Sequence, residues 1–179
     1  MVEFFARYED PLKRAIEAIG ARTYFSAYPE SASPKVYGET AKAEGDAAFE
    51  ALLGKIFVVD DRHPSDRPVG AEASPYGKAL AVRYPTASVD KLVAASVAAG
   101  EPWGRAPIET RAGVALETLS RLNKQSFLIA DAVQHTSGQS WSMAFQAGGP
   151  HAQDRGLEAV AYAVAEMNRA PRTDQRSLA

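Results

Sequence analysis

The chain has 179 residues, with 20 Lys plus Arg against 22 Asp plus Glu, three His and no Cys. That length allows one ordinary domain or part of a larger one, and the near-balanced charge, with a sequence pI of 5.9, lacks the basic footprint of a nucleic-acid binder. The lack of cysteine excludes disulfides, thiolate metal sites and a cysteine nucleophile within these residues.

The start, Met1 to Arg7, has no basic region followed by an apolar run and does not read as a secretory signal. The longest near-apolar run, Leu92 to Ala99, is broken by Ser96 and is far too short for a membrane span. A cytoplasmic protein with neither nucleic acid nor membrane as partner is expected.

Asp10-Pro11 is expected to open the first clear helix, with Asp10 as cap and Pro11 at the first helical position. Leu12, Ala15, Ile16 and Ile19 then fall at i, i+3, i+4 and i+7, and Gly20 ends the stripe. A proline disfavours the helical region for the residue before it, so the sequence does not decide whether Phe4, Phe5 and Tyr8 extend this helix backwards. Residues 23–38 read as a loop, because two prolines and three serines work against a regular element. Its aromatics, Tyr24, Phe25, Tyr28 and Tyr37, imply that it lies against an apolar surface. A second helix is expected from about Glu39 to Leu53. Ala43, Ala47, Ala48, Phe49, Leu52 and Leu53 would face inward, Gly54 would terminate it, and the internal Gly45 would cost about 1 kcal/mol.

Ile56 to Val59 is a short strand candidate. Ser74-Pro75-Tyr76-Gly77 has proline second and glycine fourth, as a type I turn prefers. Lys78 to Tyr84 then reads as the return strand, ended by Pro85, which gives a small antiparallel ribbon around residues 55–84. From residue 86 the pattern is helical. Ser88 can cap a helix whose Val89, Leu92, Val93 and Val97 face inward, with Gly100 stopping it and Trp103 in a proline-flanked connection. Residues 109–122 carry Ala112, Leu116, Leu119 and Leu122. Residues 126–136 carry Phe127, Ile129, Ala130 and Val133, and Gly138 breaks that run. Trp141, Met143, Ala144 and Phe145 form a short segment closed by Gly148-Gly149-Pro150, and the last helix carries Leu157, Val160, Ala161 and Val164. The fold class is therefore mostly α, or α-rich α+β, and Arg172 to Ala179 form a polar tail.

Motifs for chemistry are sparse. His63, His135 and His151 lack the i, i+3 or i+4 spacing of a helical metal site and read as surface or hydrogen-bonded histidines. Ser88-Val89-Asp90-Lys91 matches the Ser-x-x-Lys pattern of serine acylases, but Ser-Asp-Asn and Lys-Thr-Gly are absent and a helix cap accounts for Ser88. No Gly-x-Ser-x-Gly elbow, Gly-x-Gly-x-x-Gly or Walker-type phosphate loop occurs. Gly148-Gly149-Pro150 reads as a cap and a turn in preference to a phosphate loop. Asp60 with Asp61, and Glu44 with Asp46, read as solvated charge, and Trp141 and Phe145, one helical turn apart, as core packing. No catalytic, cofactor-binding or metal-binding residue is assigned.

The order of segments says more than any one motif. Ala81 to Ala95 resembles the aldehyde dehydrogenase superfamily where a strand ends in a Pro-x-Ala-Ser turn before an alanine-rich helix. Pro102-Trp103 is similar to that family's Ala-Trp, and Glu109 to Leu116 to its Glu-Arg-Ala helix start. His135-Thr136-Ser137-Gly138-Gln139 stands where most members have Glu-Thr-Gly-Lys. Tyr28 to Pro34, Tyr37-Gly38-Glu39, Ser74 to Gly77, His135 to Gln139 and Met143 to Ala159 resemble, more narrowly, the PaaN family of phenylacetic acid degradation, over about residues 10–171.

The resemblance implies an aldehyde dehydrogenase-like scaffold of aromatic catabolism. In that family a cysteine thiolate adds to an aldehyde, a hydride leaves to NAD(P), and water or another acceptor releases the acyl group. The family's cysteine, glutamate base, oxyanion-hole asparagine and cofactor loops lie downstream of the matched region, so no catalytic residue carries over. Residues 1–171 would be a helical, incomplete N-terminal segment of a longer NAD(P)-dependent parent, from a truncated, frameshifted or split gene product, and would bind no cofactor itself. The expected partners are the remainder of the dehydrogenase chain or a homologous subunit, with self-association of the exposed faces. A standalone helical interaction protein that associates with a dehydrogenase subunit is the alternative, and an acylase built on Ser88 and Lys91 a third reading.

Overall fold

The computed structural model describes residues 2–58 and 67–170. Val59, Asp60, Asp61, His63 and the tail from Arg172 lie outside the described residues.

The first helix is two. α1 (Val2–Arg7) and α2 (Glu9–Ala21) part at Tyr8, where φ −114° and ψ 14° leave helical geometry. Pro11 is the third residue of α2, still within the first turn, where backbone N–H groups have no partner inside the helix. Asp10 is therefore not the cap. Gly20 lies within the helix, and the left-handed cap falls on Arg22 (φ 54°), after which the Thr23 N–H closes the end by donating to the Ala18 carbonyl. The 23–38 segment is not all loop. Ser33 accepts from the Lys35 N–H and starts α3 (Pro34–Tyr37), with Pro34 pre-set for the first position.

α4 (Ala41–Glu50) is shorter at both ends than the periodicity suggests. Its Gly45 is a packing requirement: a Cβ there would lie 2.3 Å from the Phe127 Cβ and 3.0 Å from the Leu128 nitrogen. Among the described residues the expected antiparallel ribbon does not form. The Ser74–Gly77 turn is present, with the Gly77 N–H donating to the Ser74 carbonyl at 3.0 Å, but only isolated pairings flank it. Ile56 pairs with Arg83 in the parallel sense, and Val69 with Tyr84 in the antiparallel sense. Ala81, at φ 49°, breaks the pleat in the middle of the supposed return strand.

α5 (Val89–Arg105) runs straight through Gly100 and Pro102, so neither stops it and Trp103 belongs to its last turn. Its supposed inward face is exposed: Val89 and Val97 each keep 72% of their surface, and the helix has no buried residue. α6 (Ile108–Asn123), α7 (Ser126–Ser137), α8 (Trp141–Gly148) and α9 (Pro150–Met167) follow, with Gly138 (φ 80°) as the left-handed cap of α7.

Two cores result. In one, Leu12 and Ala15 of α2, Ala112 and Leu116 of α6, and Leu157, Ala161 and Val164 of α9 interlock, with Phe25 and Tyr28 of the long loop packed on them. In the other, Phe127 and Ala130 of α7 meet Phe145 of α8, and Tyr37 and Trp141 close over them. Phe127 and Phe145 lie 4.9 Å apart, and Tyr37 presents its edge to both rings. Gln153 links the two cores by accepting from Asn123 at 2.8 Å and donating to Ser126 at 3.3 Å.

Candidate functional site

The polar interior is arranged as clasps between distant segments. Asp154, buried on the inner stripe of α9, accepts the Ala27 and Tyr28 N–H groups through Oδ1 at 2.9 and 3.1 Å. Its Oδ2 accepts the Ser26 hydroxyl at 2.5 Å, and Tyr24 donates more weakly at 3.4 Å. One carboxylate thereby fixes the aromatic loop onto α9, and all its partners are donors, as an ionised acceptor requires. Beside it, burial pushes the Tyr28 phenol up to about 12, helped by Tyr8 and Asp154.

Glu117 of α6 holds α1. It accepts from Arg121 at 2.7 Å, from the Tyr8 hydroxyl at 2.8 Å and from Arg7 at 3.1 Å. The bonds from Arg121 and Tyr8, followed by the charges of Arg121 and Arg7, keep its carboxyl below the ordinary carboxylate range. Asp131 of α7 has the opposite setting. Burial raises it, and the neighbouring Asp46 raises it further, although the Trp141 indole donates to it at 2.9 Å. Lys42 bonds Asp46 at 2.7 Å and lies 5.0 Å over the Trp141 ring. Asp46 is therefore not the purely solvated charge that its sequence context suggests.

The third clasp joins the Ser74–Gly77 turn to the end of α7. His135 Nδ1 is 2.8 Å from the Ser74 Oγ, and its ring stacks on Phe49 at 5.3 Å. The Tyr76 hydroxyl donates to the Gly138 and Gln139 carbonyls at 2.8 and 3.1 Å. Sequence spacing alone missed these clasps, but a signal existed. Asp154 is three residues before Leu157, Glu117 four after Gly113 and Asp131 four after Phe127, all within the buried phase of their helices.

Among the described residues, none of the sequence candidates assembles into a reaction centre. Ser88 sits at the N-cap of α5 without bonding it through its side chain, and both Ser88 and Lys91 are exposed. His151 pairs with Glu30 at 3.0 Å on the surface. No group of three or more His, Asp and Glu able to hold a metal occurs among the described residues. Trp141 and Phe145 stack at 5.5 Å as core.

The turn at Gly148-Gly149-Pro150 is already filled by protein: the Gly149 N–H donates to the Phe145 carbonyl, Pro150 has no N–H, and a Cβ on Gly149 would lie 2.5 Å from that carbonyl oxygen. No backbone cradle for a pyrophosphate is left there.

What remains is surface. α5 packs along none of the other helices. Behind its last turn a groove of about 190 Å³ is lined by Trp103, Arg111, Ala115, Val160 and Met167, among others. In it the Arg111 Nε is buried with no hydrogen-bond partner among the described residues, while the same guanidinium reaches the Met167 sulfur at 3.5 Å. No helix among the described residues is long and apolar enough to cross a membrane.

No protein-family model and no curated protein matches the chain. A solved structure does. The chain superposes on the crystal structure of an NAD-dependent aldehyde dehydrogenase from Burkholderia multivorans with a TM-score of 0.89 and 54% sequence identity over 94% of its own length. The chain is aldehyde dehydrogenase-like. It spans 30% of the length of that enzyme, so the aldehyde dehydrogenase-like helices described above correspond to less than a third of it.

Proposed function

We propose that this chain is the helical scaffold part of a PaaN-type, NAD(P)-dependent aldehyde dehydrogenase of phenylacetate catabolism and carries none of its catalytic residues. The observation that carries the reading is how the PaaN-like segments meet. The Ser74–Gly77 turn is clasped to His135, Gly138 and Gln139, and the Tyr28–Pro34 stretch is held to α9 through Asp154 and the Glu30–His151 pair. Segments that resemble one family in sequence are thus each other's contacts, as parts of one inherited scaffold would be.

The parent acts on an aldehyde formed from a ring-opened, CoA-linked aromatic acid, in keeping with the family resemblance. Its cysteine nucleophile has to come from polypeptide outside these residues, which contain no Cys. Disrupting the gene in its source organism tests the assignment. Growth on phenylacetate should slow while growth on succinate is unchanged, and equal growth on both would refute the aromatic role.

A further inference from the structure

Between the first turns of α2, residues 25–28 of the long loop and α6 lies a cleft of about 360 Å³. Its lining is apolar at the base, with the buried Leu116 and Leu157, and aromatic at the sides, with Phe25 and Tyr28. Its rim carries charge of both signs. Asp10 and Arg14 stand at i, i+4 on α2, the spacing at which an acid and a following base pair, and the adjacent Glu9 and Lys13 do so at 2.9 Å. Asp10 and Arg14 form no ion pair among the described residues, and the Arg14 guanidinium lies 4.5 Å over the Phe25 ring instead. The Tyr28 hydroxyl, also on the cleft, has no hydrogen-bond partner among the described residues. With its phenol pushed up to about 12, it remains a donor at neutral pH. A concave apolar surface with a few unpaired polar groups is the build of a small-molecule site.

We propose that this cleft binds a free α-amino acid with a large apolar side chain, its carboxylate on Arg14 and the Tyr28 hydroxyl, its ammonium on Asp10 and its side chain on Leu116 and Leu157. An anion and a cation one helical turn apart match the two charges of one zwitterion. A plain carboxylic acid would meet Asp10 as a like charge, and a plain amine would meet Arg14 as one. The Phe25 ring backs the guanidinium by its face and leaves the N–H groups free for a carboxylate, toward which the Tyr28 hydroxyl also donates.

The test is titration calorimetry of the full chain with L-phenylalanine, whose ring suits the Phe25 and Tyr28 sides, and with two analogues that keep the ring and one charged end, 3-phenylpropanoate and 2-phenylethylamine. L-Phenylalanine is expected to bind about tenfold more tightly than either analogue, the worth of one hydrogen-bonded charge. Asp10→Asn should remove its advantage over 3-phenylpropanoate, and Arg14→Met its advantage over 2-phenylethylamine. Both side chains are exposed, so urea midpoints should stay at the parent value and a loss of binding is a loss of contact. Tyr28→Phe should weaken L-phenylalanine and 3-phenylpropanoate and leave 2-phenylethylamine unchanged. Equal affinity for all three ligands would reveal an apolar cleft without polar recognition and overturn the proposal. So would the absence of binding at millimolar L-phenylalanine by both calorimetry and thermal melting, or a preference for L-phenylalanine that survives Asp10→Asn and Arg14→Met.

Discussion

The Nδ1 of His135 lies 2.8 Å from the Oγ of Ser74, across 61 residues of sequence, and that bond joins the Tyr76 hydroxyl in fastening the turn to the end of α7. The same hydroxyl of Ser74 accepts the Tyr76 N–H at 3.2 Å, so Ser74 ties the turn's own backbone to the imidazole. Ser74→Ala should cost about 1 kcal/mol, the net worth of one such bond. His135→Phe keeps the stack on Phe49 and should cost a similar amount. The double variant should cost no more than either single one, and additive costs in urea titrations would show that the two residues are not partners.

Glu117 should make α1 acid-sensitive. Its folded-state carboxyl lies below the unfolded value, so its contribution is present above the unfolded carboxylate range of about 4.3 and is lost as pH falls through the folded value. Glu117→Gln should therefore melt earlier than the parent chain at pH 7, with the difference closing toward pH 3. A difference independent of pH would contradict the ion-pair account of α1 docking.

Asp131 has the reverse sign. Burial raises it in the folded state, so the parent chain loses stability as pH rises through that raised value. Asp131→Asn keeps a carbonyl acceptor for the Trp141 indole and offers an N–H toward Asp46. The variant should be the more stable protein at pH 7 and should lose that advantage in acid. Thermal melts at both pH values check it, and an Asn variant less stable at pH 7 would refute it.

Gly45 separates helix propensity from packing. Propensity alone predicts that Gly45→Ala gains about 1 kcal/mol. The structure places that methyl 2.3 Å from the Phe127 Cβ, so overpacking should make the change destabilising by about 1–3 kcal/mol. Chemical denaturation gives the sign directly.

Much of this architecture was legible before the structure. α6, α7 and α9 follow their 3.6-residue stripes, Gly138 ends α7 as a left-handed cap, and Phe25, Tyr28 and Tyr37 pack on the cores as aromatic loop residues should. The misses have physical causes. Gly100 and Pro102 read as punctuation, yet they lie in the last two turns of α5, where a lost backbone bond costs little neighbouring structure. Ala81 takes a left-handed conformation that no propensity assigns to alanine, so the return strand fails and Arg83 pairs in parallel with Ile56 instead. Glu117, Asp131 and Asp154 stand out in no sequence motif because several of their partners come from segments far away in sequence, at separations of up to 130 residues. The inward direction of α5 was the deepest error. Its apolar pattern is real, but among the described residues no other helix packs along it.

The most direct test of the account is amide hydrogen exchange on the isolated chain, resolved by helix. α6, α7 and α9 line the two cores and should be the slowest to exchange, while a 17-residue helix that packs along none of the other described helices is marginal in water and α5 should exchange close to the rate of an open segment. If α5 in the isolated monomer is protected as strongly as α6 and α9, its apolar surface is already covered within the chain, and the scaffold reading loses its structural basis.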